Sequence, residues 1–216
     1  MKTFLVIALI LVLEICSNKK GIDVSKWQGS INWEKVAKVK SFAIIKAGSG
    51  NGHIDEQFEK NYKNAKSAGV PIGAYWYSYA DSGSDGKTEA KHAINALKGK
   101  KFEYPIYIDI EEKSIFKKGI ASSVAKNFCE EMQSKKYYCG IYSSKSYFDS
   151  YFDSESKKKY SIWVAQWSSK CTYKGSYGIW QYSSNGSVDG ISGRVDLDEA
   201  YEDFPSIIKK AHLNGY

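Results

Sequence analysis

The chain has 216 residues, 43% of them hydrophobic and 25% charged, with only three prolines, which excludes a disordered or collagen-like polymer. Its length lets it bury enough surface to fold without a metal or a disulfide framework. The net charge of +7 comes from 30 lysines and one arginine, Arg194, so the bidentate guanidinium contacts that read bases and phosphates are nearly missing and a nucleic-acid reader is excluded.

Residues 1–17 begin with Met1-Lys2-Thr3 and then ten unbroken apolar residues, Phe4 to Leu13. That run is short of the roughly 20 residues a spanning helix needs, and it predicts a signal peptide cleaved near Cys16-Ser17-Asn18. No later stretch is long and apolar enough for stable membrane insertion. Residues 18–216 then form one domain, expected to be a monomer.

Within this domain, short apolar runs alternate with amphipathic ones. Ser41 to Lys46 is a strand, Asp55 to Ala68 a helix stopped by Gly69, and Pro71 to Tyr79 the next strand. Lys87 to Leu97 is helix, Tyr104 to Asp109 strand, Ile120 to Ser134 helix and Tyr137 to Tyr142 strand. Ile162 to Gln166 and Ile179 to Tyr182 are late strands. Strands separated by helices predict a parallel α/β sheet. Gly48-Ser49-Gly50-Asn51-Gly52 lacks the spacing of a dinucleotide loop, and no phosphate-loop motif occurs. The fold expected is therefore a single modified (β/α) TIM-like barrel, irregular in its later helices.

Four cysteines include one in the signal segment. Cys129 lies late in a helix and Cys139 in the strand that follows, so an exported chain is expected to bridge them, two buried thiols being the alternative. Cys171 is left over. No Cys-x-x-Cys pair occurs and the three histidines are scattered, so neither a metal site nor a cofactor is expected.

The chemistry is expected at strand ends. In Tyr107-Ile108-Asp109-Ile110-Glu111, strand alternation turns Asp109 and Glu111 to one side. Paired carboxylates raise each other's proton affinity, which allows one to act as an acid while the other stays ionised. Glycosidic-bond cleavage needs that division of labour. Asp23, in Gly21-Ile22-Asp23-Val24-Ser25-Lys26-Trp27-Gln28, and Asp196, in Arg194-Val195-Asp196-Leu197-Asp198, add further acids. Aromatic residues make up 15% of the chain, too many for an ordinary core, and many are expected half exposed on a binding surface. Tyr75-Trp76-Tyr77 and Trp180-Gln181-Tyr182 supply flat faces for sugar rings, with amide and phenol groups for their hydroxyls.

In order along the chain, Asp-Val-Ser-x-x-Gln, Ile-Asp-Ile-Glu, Trp-Val-Ala-Gln-Trp and Ile-Trp-Gln-Tyr-Ser-Ser, followed by Gly-x-Val-x-Gly-Ile-x-Gly-x-Val-Asp-Leu, resemble glycoside hydrolase family 25, the Chalaropsis-type lysozymes. The resemblance runs from about Gly21 to about Phe204. It implies hydrolysis of the β-1,4 bond between N-acetylmuramic acid and N-acetylglucosamine, with peptidoglycan glycan strands as the partner. It also implies Glu111 as proton donor and Asp109 as stabilising or orienting carboxylate. Asp23 and Asp196 match the two remaining acids, and Trp76, Tyr77, Gln166, Trp180 and Gln181 would line the groove. The chain departs from many relatives after Ala47, where Gly48-Ser49-Gly50 stands in place of a segment carrying an acid. A chitinase pattern would need Asp at positions 104 and 107, which are Tyr104 and Tyr107.

The expected product is secreted, or sent through the secretory pathway to a lysosome-like, phagocytic vacuole. The rivals are a lectin-like barrel that binds glycans without cleaving them, and a cationic protein acting on membranes. The first has no need of Glu111, and no amphipathic cationic helix supports the second.

Overall fold

A computed structural model describes residues 18–216, so the expected signal peptide and its cleavage lie outside the described residues. Strand β1 (Lys19–Val24) leads through a 3-10 turn, Lys26–Gln28, and α1 (Trp33–Val36) into β2 (Phe42–Ser49), which carries the two-residue β3 (His53–Ile54). Then come α2 (Phe58–Ser67), β4 (Ile72–Tyr77), α3 (Gly83–Leu97), β5 (Ile106–Asp109), α4 (Lys113–Lys117) and α5 (Ala121–Ser134). The last third holds β6 (Cys139–Ser144), α6 (Lys145–Tyr151), α7 (Ser154–Lys159), β7 (Ser161–Ala165), β8 (Ile179–Gly186), β9 (Val195–Ala200) and α8 (Phe204–Lys210).

The sheet order is β1-β9-β8-β7-β6-β5-β4-β2-β3, and β1 also pairs with β2, so eight strands close into a barrel with β3 outside the closure. Seven of the eight run parallel, and β9 is antiparallel to both β8 and β1. This is the expected irregular barrel. No helix separates β7 from β8 or β8 from β9, which is why the parallel rule lapses there. Helix α3 begins four residues before the expected Lys87, because the Ser82 hydroxyl accepts from the Asp85 amide and caps an earlier turn.

Strand alternation sorts the core into two layers. One residue set, including Ile22, Ala43, Ile45, Trp76, Ile108, Ile141 and Val164, packs against α2, α3 and α5. The other, including Phe42, Ile44, Tyr104, Tyr107, Tyr142 and Trp163, fills the barrel interior. Phe42 stacks on Tyr104 at 4.4 Å, while Trp163 packs against Tyr142 at 4.4 Å and Tyr107 at 5.2 Å. Rings this large fit because neighbouring strands give up their side chains. A Cβ on Gly21 would stand 2.3 Å from the Phe42 ring, and one on Gly140 2.4 Å from Tyr107. Much of the aromatic excess is thus interior filling and not the half-exposed surface expected. Helix α8 closes the lower end with Phe204 and Ile208, both fully buried.

Candidate active site

The acids converge where the parallel strands end. Asp23, Asp109, Glu111 and Asp196 line one pocket of about 340 Å3, together with Lys46, Tyr75, Tyr77, Tyr142, Trp163 and Gln181. Each position follows from the alternation that builds the interior. Tyr107 and Asp109 face inward on β5, and Ile106 and Ile108 face the helices. On β2 the inward set is Phe42, Ile44 and Lys46, and on β9 it is Ala200, Asp198 and Asp196, with Asp196 in register with Asp23 on β1. Glu111 lies two residues beyond Asp109, past the strand end, where it reaches both this pocket and an adjoining cleft of about 550 Å3.

The first turn after β1 explains its motif. Ser25 caps the 3-10 turn by accepting from the Trp27 amide, and Gln28 reaches back to the Ser25 amide at 2.9 Å. The turn holds Trp27 at the pocket rim, 80% exposed. Across the pocket Trp167 is 64% exposed, with its Nε1 donating to Gln181 Oε1 at 2.9 Å. Gln181 ties the site together, because Oε1 also accepts from the Tyr142 hydroxyl at 2.9 Å while Nε2 donates to Asp23 Oδ2 at 2.8 Å.

Burial is the main force on the carboxyls. It pushes Asp109 well above the ordinary carboxylate range, reinforced by the charge of Glu111 and opposed by Lys46. Glu111 is raised by burial, against the neighbouring Tyr142 hydroxyl and the field of Lys46. Burial, with Glu111 adding to it, takes Asp196 up to about 6. Asp23 is raised well above its usual range by burial and then by Asp198 and Asp196. One Asp109 oxygen, Oδ1, is buried without a hydrogen-bond partner among the described residues. The ammonium of Lys46 lies 4.9 Å from the Tyr77 ring centroid and 5.8 Å from that of Tyr75. Such a site can retain a proton on the Asp109–Glu111 pair. Among the described residues no group of three or more His, Cys, Asp or Glu is arranged to hold a metal ion.

The aromatic expectations need correction. Trp76 faces the helices with no exposed surface, its Nε1 donating to the Gly50 carbonyl at 3.2 Å, and its neighbour Tyr75 faces the pocket instead. Trp180 likewise turns outward, donating to the Gln166 carbonyl at 2.8 Å, and leaves Gln181 inside. Tyr77 lines the pocket, with its hydroxyl on Glu112 at 2.8 Å. Gln166 lines the adjoining cleft, its amide oxygen accepting from the Thr172 amide at 2.8 Å. Sequence reading missed Lys46, Tyr142, Trp163, Trp27 and Trp167 as site residues, and named Tyr75 only within its aromatic strand. Lys46 and Tyr75 were signalled by their strand parity with Ile44 and Tyr77. In Gly48-Ser49-Gly50, where an acid was missing, the first two residues end β2 against Trp76, whose ring would stand 2.5 Å from a Cβ at Gly48.

Cys129 and Cys139 are buried neighbours on α5 and β6, with Sγ atoms 2.6 Å apart, and both are free thiols in this structure. That separation exceeds the roughly 2.05 Å of a formed disulfide.

Comparison with known proteins places this geometry. The family model described as glycosyl hydrolases family 25 matches residues 22–191. An autolytic lysozyme of Clostridium acetobutylicum is 32% identical over 185 residues, covering 85% of this chain and 56% of that protein. The chain thus spans a little over half the length of that relative. Lysozyme M1 of Streptomyces globisporus is 32% identical, covering 85% of this chain and 68% of its own. The crystal structure of a bacterial lysozyme from Streptomyces coelicolor superposes with a TM-score of 0.80 at 28% identity, covering 90% of this chain and 99% of that one.

Proposed function

The chain belongs to glycosyl hydrolase family 25, and we propose that it is a muramidase, hydrolysing the β-1,4 bond between N-acetylmuramic acid and N-acetylglucosamine in bacterial peptidoglycan. The observation that carries this reading is the meeting of Asp23, Asp109, Glu111 and Asp196 in one pocket at the strand ends. Glu111 has its proton affinity raised by burial and sits between the pocket and the adjoining cleft. It gives its proton to the glycosidic oxygen as the C–O bond breaks.

Asp109 takes the second role. Its unpartnered Oδ1 accepts the N–H of the muramic acid's acetamido group. The acetamido oxygen then attacks the anomeric carbon and displaces the protonated leaving sugar. Water, deprotonated by the Glu111 carboxylate, opens the resulting ring and regenerates the acetamide, with net retention of configuration. Asp23 and Asp196 hold the sugar and the catalytic pair. An initial product of inverted configuration by NMR would remove the acetamido step.

Residues 1–17 direct the protein through the secretory pathway, outside the cell or to a phagocytic vacuole, where it acts as a monomer against bacteria or in their digestion. The oxidising compartment closes the Cys129–Cys139 bridge, which mass analysis after alkylation of the exported protein would read as two unlabelled cysteines. The decisive experiment is analysis of muropeptides from digested walls. Reducing-end muramic acid is expected, and Glu111→Gln is expected to lower its release at least about a hundredfold. Equal wall clearing by the wild type and Glu111→Gln would sink the enzyme reading and favour a glycan-binding barrel.

A further inference from the structure

One interior carboxyl has no part in the reaction above. Asp198 lies on β9 two residues from Asp196, pointing into the same interior, and is completely buried. Its Oδ1 accepts from Trp163 Nε1 at 2.8 Å, while its Oδ2 is buried with no hydrogen-bond donor among the described residues. The antiparallel pairing of β1 and β9 sets Gly21 opposite Asp198 and Asp23 opposite Asp196. Gly21 adds no side chain between them, and the Asp23 and Asp198 carboxyls lie within hydrogen-bonding reach of each other. Two buried carboxyls can bond only when one carries a proton.

We propose that Asp198 is a positioning residue that shares one proton with Asp23 and thereby aims the Asp23 carboxyl into the pocket. The role rests on the muramidase reading. Gln181 holds one side of Asp23 through Nε2, and the other side meets Asp198, with Asp196 also in reach from the register position opposite Asp23. The charged and titratable groups around the pair are Asp196 on β9, Lys40 ahead of β2, Tyr75 on β4, Tyr107 on β5, Tyr142 on β6 and Tyr182 on β8. Lys40 is the one cation among them, and it makes no ion pair with Asp198 among the described residues. Burial takes Asp198 up to about 7, in keeping with a proton retained at mildly acidic pH.

Asp198→Asn keeps an oxygen for Trp163 and supplies an N–H for Asp23, imitating the shared-proton state permanently. Asp198→Ala supplies neither. With reducing-end release from purified walls as the assay, Asp198→Asn is expected within about threefold of wild-type kcat, and Asp198→Ala about tenfold or more below it with KM little changed. The Asp23 carboxyl, followed by 13C NMR, is expected to titrate at lower pH in Asp198→Asn than in the wild type, because its charged neighbour is gone. Activity in Asp198→Asn as low as in Asp198→Ala, or an unchanged Asp23 titration, overturns the proposal. If Asp198→Ala does not fold, the asparagine variant and the titration still decide. If the wild type releases no reducing ends, the muramidase reading fails, and the titration separately reports whether the pair shares a proton.

Discussion

Gln181 donates from Nε2 to Oδ2 of Asp23 at 2.8 Å, joining β8 to β1 although β9 runs between them. The same side chain accepts from Tyr142 and Trp167, so one amide sets an acid at the floor of the pocket and an indole at its rim. Gln181→Leu strands two donors and frees Asp23. Its cost is expected at about 1–3 kcal/mol of stability for each donor left buried without a partner. A fall in kcat of about tenfold or more should accompany it. Denaturant melts with wall-hydrolysis kinetics test both, and a variant with full activity would contradict the role.

Lys46 faces Asp109 and Glu111 and lowers the proton affinity of each. Lys46→Met removes that field, so both carboxyls hold their protons to higher pH. Both limbs of the rate profile, which report the two proton losses of the coupled pair, are expected to move up in pH. A profile of kcat/KM against pH that stays in place would show that the lysine does not act on the pair.

Trp27 and Trp167 stand exposed on opposite sides of the pocket, where an aromatic face has no folding reason to meet water. Trp27→Ala and Trp167→Ala are each expected to raise KM for glycan strands by about threefold to tenfold, with kcat nearly constant. Effects confined to kcat would instead place these rings in holding the acids.

Stability is expected to fall from mildly acidic to mildly alkaline pH. Folding raises the proton affinity of Asp23, Asp109, Glu111, Asp196 and Asp198, with Asp196 near 6 and Asp198 near 7. Between about pH 4 and these values the unfolded chain has already released protons that the folded chain retains, so each step up in pH favours unfolding. Glu103 and Glu199 are held below their usual range and act oppositely, losing their stabilising charge only in stronger acid. Thermal melts should therefore show a Tm several degrees higher, about 5 °C or more, at pH 5 than at pH 8. A flat or rising Tm across that window would contradict the burial of these groups.

The acids were legible in the sequence because spacing by two survives folding: Asp109 and Glu111 share a face wherever the strand ends. The aromatic residues were not. In a closed barrel both strand faces are buried, so Tyr75-Trp76-Tyr77 and Trp180-Gln181-Tyr182 carry no polar side to mark the outside. Reading indole as the sugar platform picked Trp76 and Trp180, two positions that turn away from the pocket into the outer hydrophobic layer. The reversed direction of β9 was signalled only weakly, by the absence of a helical period between Ser183 and Gly193 and by the turn dipeptides Asn185-Gly186 and Asp189-Gly190. The barrel was readable from the alternation of its first six strands with helices, and Asp198 escaped notice because its role depends on a strand pairing that no local pattern reveals.

Because β9 runs against the other barrel strands, the chain enters it at the cleft end and leaves at the opposite end. Helix α8 then seals that end, and Tyr216 is fastened beside Glu103 and Lys101, away from the pocket. A reporter or anchoring group fused after Tyr216 would therefore hang behind the barrel, leaving the mouth free for a long polymer to pass across it.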